Sequence, residues 1–267
     1  MRVLLIHDEA RGFAGAEQML LRFLDELDAQ PDLETSLAAV RESPLGERLA
    51  DRKQILWIPP KNRFSLRTLL QQRTEIERAA RDRRFDLVHG WAARDWELTA
   101  WVGKRLGIPV LGTLHDHPQA RFHGRLRRAL MKWTVRLGLD RVICVSRAVH
   151  TACEQCGYPV KKLLTVHNGL PAGPGLKPVG DTSAPLVLGF LGVFSRRKGL
   201  RELFLILDGM SRDSDLAWEM RIGGQAQDDE GHRLLEEVKR EFGGRPWWSR
   251  VKWLGWMKDA RSFFSEI

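Results

Sequence analysis

The sequence predicts an α/β protein with two parallel-sheet domains, the second incomplete. Short apolar runs alternate with amphipathic segments along most of the chain, the pattern of βαβ units whose sheet is covered on both faces. A stretch rich in proline, glycine and small polar residues, "PAGPGLKPVGDTSAP" at 171–185, interrupts the alternation once, as a linker does. The alternation then restarts but supplies only three more strands before residue 267. The expected division is a first domain over 1–170, a linker over 171–185 and a partial second domain over 186–267.

The elements follow in order. "RVLLIH" is a buried strand ending at His7, and residues 15–29 put Met19, Leu20, Phe23, Leu24 and Leu27 on one helical face. "LETSLAAV" is a strand, 45–51 a short helix, "QILWIP" a strand and 65–83 a long charged helix. "DLVHG", "PVLGTLH", "RVICVS" and "LLTVHNG" are the next strands, separated by helices over 94–106, 121–138 and 147–157. Beyond the linker come "LVLGFLGV", a helix over 197–209, "AWEMRIGG", a helix over 229–242, "RVKWLGW" and a last helix.

A formal net charge of +9 points to anionic partners: nucleotide phosphates, lipid headgroups or nucleic acid. Nucleic acid is the weakest of these, because no helix-turn-helix, zinc-finger or aromatic-platform signature is present. The three cysteines cannot build a disulfide framework; Cys144 is expected in the core, and Cys153 and Cys156 as ordinary thiols. Met1 leads straight into the first strand rather than a secretory leader, and no apolar run is long enough to span a bilayer, so a cytoplasmic location is expected.

In open parallel sheets, ligands bind beyond the carboxyl ends of the strands. Here His7, His89, His115, Ser146 and Asn168 stand at those ends. Gly12 and Gly15 flank the first strand–helix turn, where free N–H groups and the helix dipole favour phosphate, although glycines needed only for a tight turn read equally well. His115, Asp116 and His117 invite a metal reading, but neighbouring residues at a strand end diverge, so no metal is expected. His117 and His123 are expected in solvent. The tryptophans of "PWWSRVKWLGW" fit a carbohydrate surface, or, by default, packing of the second domain.

The helix over 121–138 carries Phe122, Leu126, Leu130, Trp133 and Leu137 at helical spacing, and Arg121, Arg125, Arg128, Lys132 and Arg136 on another face. Either the apolar stripe packs on the sheet and the cations are solvated, or the helix meets an anionic membrane.

The ordered set "GAE", "TLHDHP", "DRVICVSRAVH", "VHNGLP" and "LGVFSRRKGLREL" resembles the GT-B glycosyltransferases of family 4, two-domain Rossmann-like retaining enzymes that use nucleotide sugars. The resemblance implies a transferase with a nucleotide-sugar co-substrate, no metal or other cofactor, and a glycan or lipid-linked acceptor of cell-envelope polysaccharide synthesis. It implies approach to the inner membrane face, with Arg121, Arg125, Arg128 and Lys132 facing the membrane. The family's Gly-Gly-x-Glu loop, which nears the donor diphosphate, corresponds to Ala14-Gly15-Ala16-Glu17, with one glycine replaced. The family histidine beside the donor sugar corresponds to His115, and the Asn-Gly turn to Asn168-Gly169. In the family's G-R-x-x-x-x-K-G phosphate motif Lys198 matches, while Val193 stands where the arginine would, leaving Arg196 or Arg197 to substitute. His7, Glu17 and Ser146 are implied on the acceptor side. A lysine and helix N-termini suffice to stabilise a departing diphosphate. The family's later Glu-x7-Glu donor segment has no counterpart before residue 267, which leaves a second expectation: a truncated relative that binds without turnover.

Overall fold

The computed structural model describes residues 1–10, 12–60, 66–80, 83–120, 123–169, 185–213, 216–257, 260–265 and 267. The chain divides into two compact units, Met1–Gly169 and Leu170–Ile267. Residues 171–184 of the linker, and Arg121 and Phe122 of the basic helix, lie outside the described residues.

The first unit alternates strand and helix from β1 (Arg2–His7) and α1 (Gly15–Asp28) through β2 (Glu34–Val40), α2 (Pro44–Arg48), β3 (Ile55–Ile58) and α3 (Leu66–Ala80). It continues with β4 (Leu87–Gly90), α4 (Trp96–Leu106), β5 (Val110–Leu114), α5 (Arg125–Gly138), β6 (Arg141–Cys144), α6 (Arg147–Gln155) and β7 (Leu163–Thr165). The seven strands form one sheet in the order β3-β2-β1-β4-β5-β6-β7, with every pair parallel. The order reverses between β1 and β4, and the crevice beyond their carboxyl ends is where doubly wound sheets bind ligands.

The apolar run of β1 is central because both of its faces are buried: Leu4, Leu5 and Ile6 have no exposed surface. One face packs with Trp96, Val102, Met131 and Val135; the other packs with Leu20, Leu24 and Leu45. Close helix–sheet approach at α4 depends on Gly103, where a Cβ would lie 2.2 Å from Val110 Cγ2 and 2.9 Å from Val88 Cγ1. The three cysteines are buried free thiols.

The second unit is β8 (Leu186–Leu191), α7 (Leu200–Asp213), β9 (Trp218–Gly223), α8 (Asp229–Phe242), β10 (Val251–Gly255) and α9 (Ala260–Ser265). Its parallel strands take the order β10-β9-β8. Three tryptophans of the tryptophan-rich segment pack inward: Trp247 is buried, Trp248 and Trp253 are partly buried, and all three lie against the Phe204 ring, whereas Trp256 is exposed. Trp247 donates to Asp208 Oδ1 at 3.2 Å. Among the described residues no helix is long and apolar enough to cross a membrane.

Helix α5 starts at Arg125 rather than near residue 121, and its buried face is not the apolar stripe. Met131 and Val135 are buried, whereas Leu126, Trp133 and Leu137 are 84%, 58% and 78% exposed. Packing of that stripe on the sheet is thereby overturned. The helix can turn this way because Arg127, on the inward side, pairs with Glu97 Oε1 at 2.6 Å.

Candidate active site

The switch point holds a buried polar network built on His7, the last residue of β1. His7 is 1% exposed, with Nδ1 2.9 Å from Asp95 Oδ2 and Nε2 3.1 Å from Glu17 Oε1. With a carboxylate at each nitrogen, the ring donates twice and is an imidazolium. Burial alone would strip its proton, but Asp95 and Glu17 outweigh burial and raise its pKa to about 10. Burial would raise the Glu17 carboxyl, but bonds from His7 and the Ala14 N–H hold it below its ordinary value. Burial holds the Asp95 carboxyl above its ordinary value, against the downward pull of His7 and of the backbone N–H groups of Asp8 at 3.0 Å and Ala92 at 2.8 Å. Arg94 extends the network to Asp8 Oδ1 at 2.8 Å and to Glu9.

This network fixes the β1–α1 turn. Glu17 Oε2 accepts the Ala14 N–H at 2.7 Å, the reaching-back half of a capping box, so α1 starts at Gly15 although Ala14 has no side chain to cap it. Gly15 is exposed, and a Cβ there would meet nothing within 4 Å, which leaves the helix N-terminus open to a ligand. His7 and Glu17 also border the cavity at this corner, while their hydrogen-bonding atoms face one another, Asp95 and Ala14.

His115 follows β5 and is half-buried. Its Nε2 lies 2.9 Å from the Trp91 carbonyl, which can only accept, so Nε2 carries the hydrogen and the neutral ring presents Nδ1 as an acceptor. Burial lowers its pKa, outweighing the upward push of the Trp91 bond, and the His7 charge adds a smaller lowering. Trp91, just past β4, organises this corner: its indole donates to the Ala16 carbonyl at 2.8 Å, and its ring lies 5.2 Å from His115 and 5.3 Å from Phe23. His89, next to last in β4, is buried and bonded to Thr113 Oγ1 at 2.7 Å, and burial together with His115 lowers its pKa to about 4.

A cavity of about 430 Å³ opens here, lined by Glu9, Ala16, Arg94, His115, Asp116, His123 and Arg127 among others. His123, expected in solvent, is half-buried in this wall, while His117 is exposed. Ser146 is used locally: its Oγ accepts from Val149 N at 3.2 Å and caps α6. Asn168 is exposed. No group of three or more His, Cys, Asp or Glu side chains is placed to hold a metal ion among the described residues.

In the second unit Arg196, Arg197 and Lys198 share one exposed 3-10 turn, closed by Gly199 at φ 72° before α7. Arg196 pairs with Glu237 Oε2 at 2.8 Å; Arg197 and Lys198 form no ion pair among the described residues. Sequence reasoning missed Asp95, Arg94 and Trp91. Only Asp95 had a local signal, an acidic residue three positions after a helix-preceding alanine.

The two parallel sheets and the site at the switch point define a GT-B glycosyltransferase fold. The chain belongs to glycosyltransferase family 4, whose family model matches residues 13–172. Among solved structures it is similar to HepE from Anabaena in complex with UDP-glucose, with TM-score 0.73 and 17% identity over 99% of this chain and 71% of that one. It is also similar to the lipopolysaccharide outer core galactosyltransferase WaaB, with TM-score 0.72 and 15% identity over 97% of this chain and 69% of that one. For MurG from Acinetobacter baumannii the values are 0.60 and 16%, over 99% and 69%. Comparison with curated protein sequences found no match.

Proposed function

We propose that the chain serves as a retaining glycosyltransferase of hexosyltransferase type, moving a sugar from a nucleotide-sugar donor to a glycan or lipid-linked acceptor of cell-envelope polysaccharide synthesis. The observation that carries this reading is the family match over 13–172. The cavity of that same segment agrees with it, since its acceptor groups, Glu9, Asp116 and His115 Nδ1, suit a ligand rich in hydroxyls. Solved neighbours with UDP-glucose, UDP, or UDP and glucose bound support a nucleotide-sugar co-substrate, and the reading invokes no metal or other cofactor.

In this reading His115 is a hydrogen-bond acceptor for a sugar hydroxyl rather than a proton donor, because Trp91 takes its only N–H. The charges of Lys198 and Arg197 balance diphosphate, with Arg196 joining when it leaves Glu237, and the exposed backbone at Gly15 offers a helix N-terminus of its own to an anion. The chain works in the cytoplasm at the inner membrane face, with α5 turned to the membrane through Arg125, Arg128 and Lys132. Val193 in the family's arginine position favours the second reading, a relative that binds without turnover. Titration calorimetry with UDP-glucose and other nucleotide sugars tests both. Saturable binding with release of nucleotide diphosphate in the presence of acceptor supports transfer; binding without release supports the second reading, and no binding overturns the donor assignment.

A further inference from the structure

Charge is unevenly placed on this chain: the net charge is +9, yet the corner around the switch-point cavity is anionic. Its cations are His7, Arg94 and Arg127. Five carboxylates share them, Asp95 and Glu17 on His7, Asp8 and Glu9 on Arg94, and Glu97 on Arg127. Asp116, also in the lining, makes no hydrogen bond or ion pair among the described residues. Six carboxylates against three cations leave the corner with a net charge of −3.

The two remaining titratable rings of the wall add nothing positive. His115 is neutral, because its one N–H goes to the Trp91 carbonyl. Burial, with Arg127 beside it, lowers the pKa of His123. The Asp116 charge pulls upward on both rings, so its carboxylate stands close to each. Every cation of the corner is matched inside the protein, and Asp116 is not.

What such a cavity accepts follows from charge and solvation. A carboxylate or phosphate brought beside Asp116 would lose water and meet like charge. A sugar hydroxyl donates to Glu9, Asp116 or His115 Nδ1 without that penalty, and an ammonium on the ring adds an opposite charge. Over the few ångströms of a cavity, salt screens this difference only in part.

We propose that the cavity selects its saccharide by charge, taking neutral and amino sugars and turning away uronates and sugar phosphates, with Asp116 as the specificity-determining residue. The inference rests on the reading that the cavity binds a saccharide, and narrows that saccharide to a chemical class.

The test is titration with glucosamine in its ammonium form, glucose and glucuronate, each in the presence of UDP, followed by NMR. Glucosamine is expected to bind about five-fold more tightly than glucose, and glucuronate about five-fold more weakly. Asp116→Asn should bring all three within about two-fold, and Asp116→Lys should put glucuronate first. Asp32→Asn, which removes an exposed carboxylate beside Met1, should leave the order as it is. UDP-glucose and UDP-glucuronate, compared in the same way, identify the source. Discrimination between them places the donor's sugar in the cavity, and discrimination among the free saccharides alone places the acceptor's there. Glucuronate binding as tightly as glucose in both sets would overturn the inference, as would an order unchanged by Asp116→Asn. UDP-glucose binding that persists in either case leaves the donor assignment standing; its absence removes that assignment without touching the free-saccharide order.

Discussion

His7 holds Glu17 by a hydrogen bond of 3.1 Å, and the other Glu17 oxygen takes the Ala14 N–H at 2.7 Å, so a buried cation at the end of β1 anchors the first turn of α1. Breaking one partner of such a buried pair leaves an uncompensated charge. His7→Ala is expected to lower unfolding free energy by about 3 kcal/mol in urea titration and to loosen the turn that carries Gly15.

The buried histidines also set a pH optimum for stability. The folded-state pKa of His7 is about 10 against an ordinary 6.5, so its contribution is complete below pH 6.5 and fades as pH rises toward 10. That of His89 is about 4, so its contribution is complete above pH 6.5 and fades as pH falls toward 4. Urea midpoints should peak near pH 6.5; His7→Gln should flatten the alkaline limb and His89→Asn the acid limb. A midpoint still rising between pH 7 and 9 would contradict the His7 assignment.

His115 is held by a backbone carbonyl and supports little else, so its loss separates chemistry from folding. In the proposed role His115→Ala should lower kcat/KM about ten-fold, the loss of one hydrogen bond to a sugar hydroxyl, while the thermal midpoint moves little. Steady-state kinetics beside differential scanning calorimetry read the two effects.

Lys198 sits on an exposed turn with no ion pair among the described residues. Lys198→Ala should weaken UDP-glucose binding about ten-fold, the loss of one charge-assisted contact, leave stability unchanged, and reduce the salt dependence of binding. Calorimetry at two ionic strengths checks it.

Gly103 lets α4 lie against β4 and β5. Gly103→Leu should destabilise the first unit by about 3 kcal/mol through overpacking, whereas Gly15→Ala, with open space at its Cβ, should cost little stability. Denaturant unfolding of the two variants reads the contrast.

Strands and helices were legible because their periodicity is local: α8 runs over the residues expected, 229–242, and β1 ends at His7 as "RVLLIH" does. The site was legible only as strand ends. The partners of His7 stand 10 and 88 residues away, a distance that no local pattern spans. Ser146 looked like a site residue because a strand ends there, but an N-cap needs the same residue type in the same place. The orientation of α5 stayed open because a helix with one apolar stripe ordinarily buries it; here a smaller stripe, Met131 and Val135, goes inward beside an arginine neutralised by Glu97.

The strand order has a consequence for biosynthesis. β1 is made before β4 but pairs with it, about 85 residues later, so a ribosome must deliver the chain past Gly90 before the centre of the sheet can close. Until then the apolar edge of β1 has only β2 to cover one side. An early strand thus waits on a later one, and during translation its open edge is the natural ward of a chaperone.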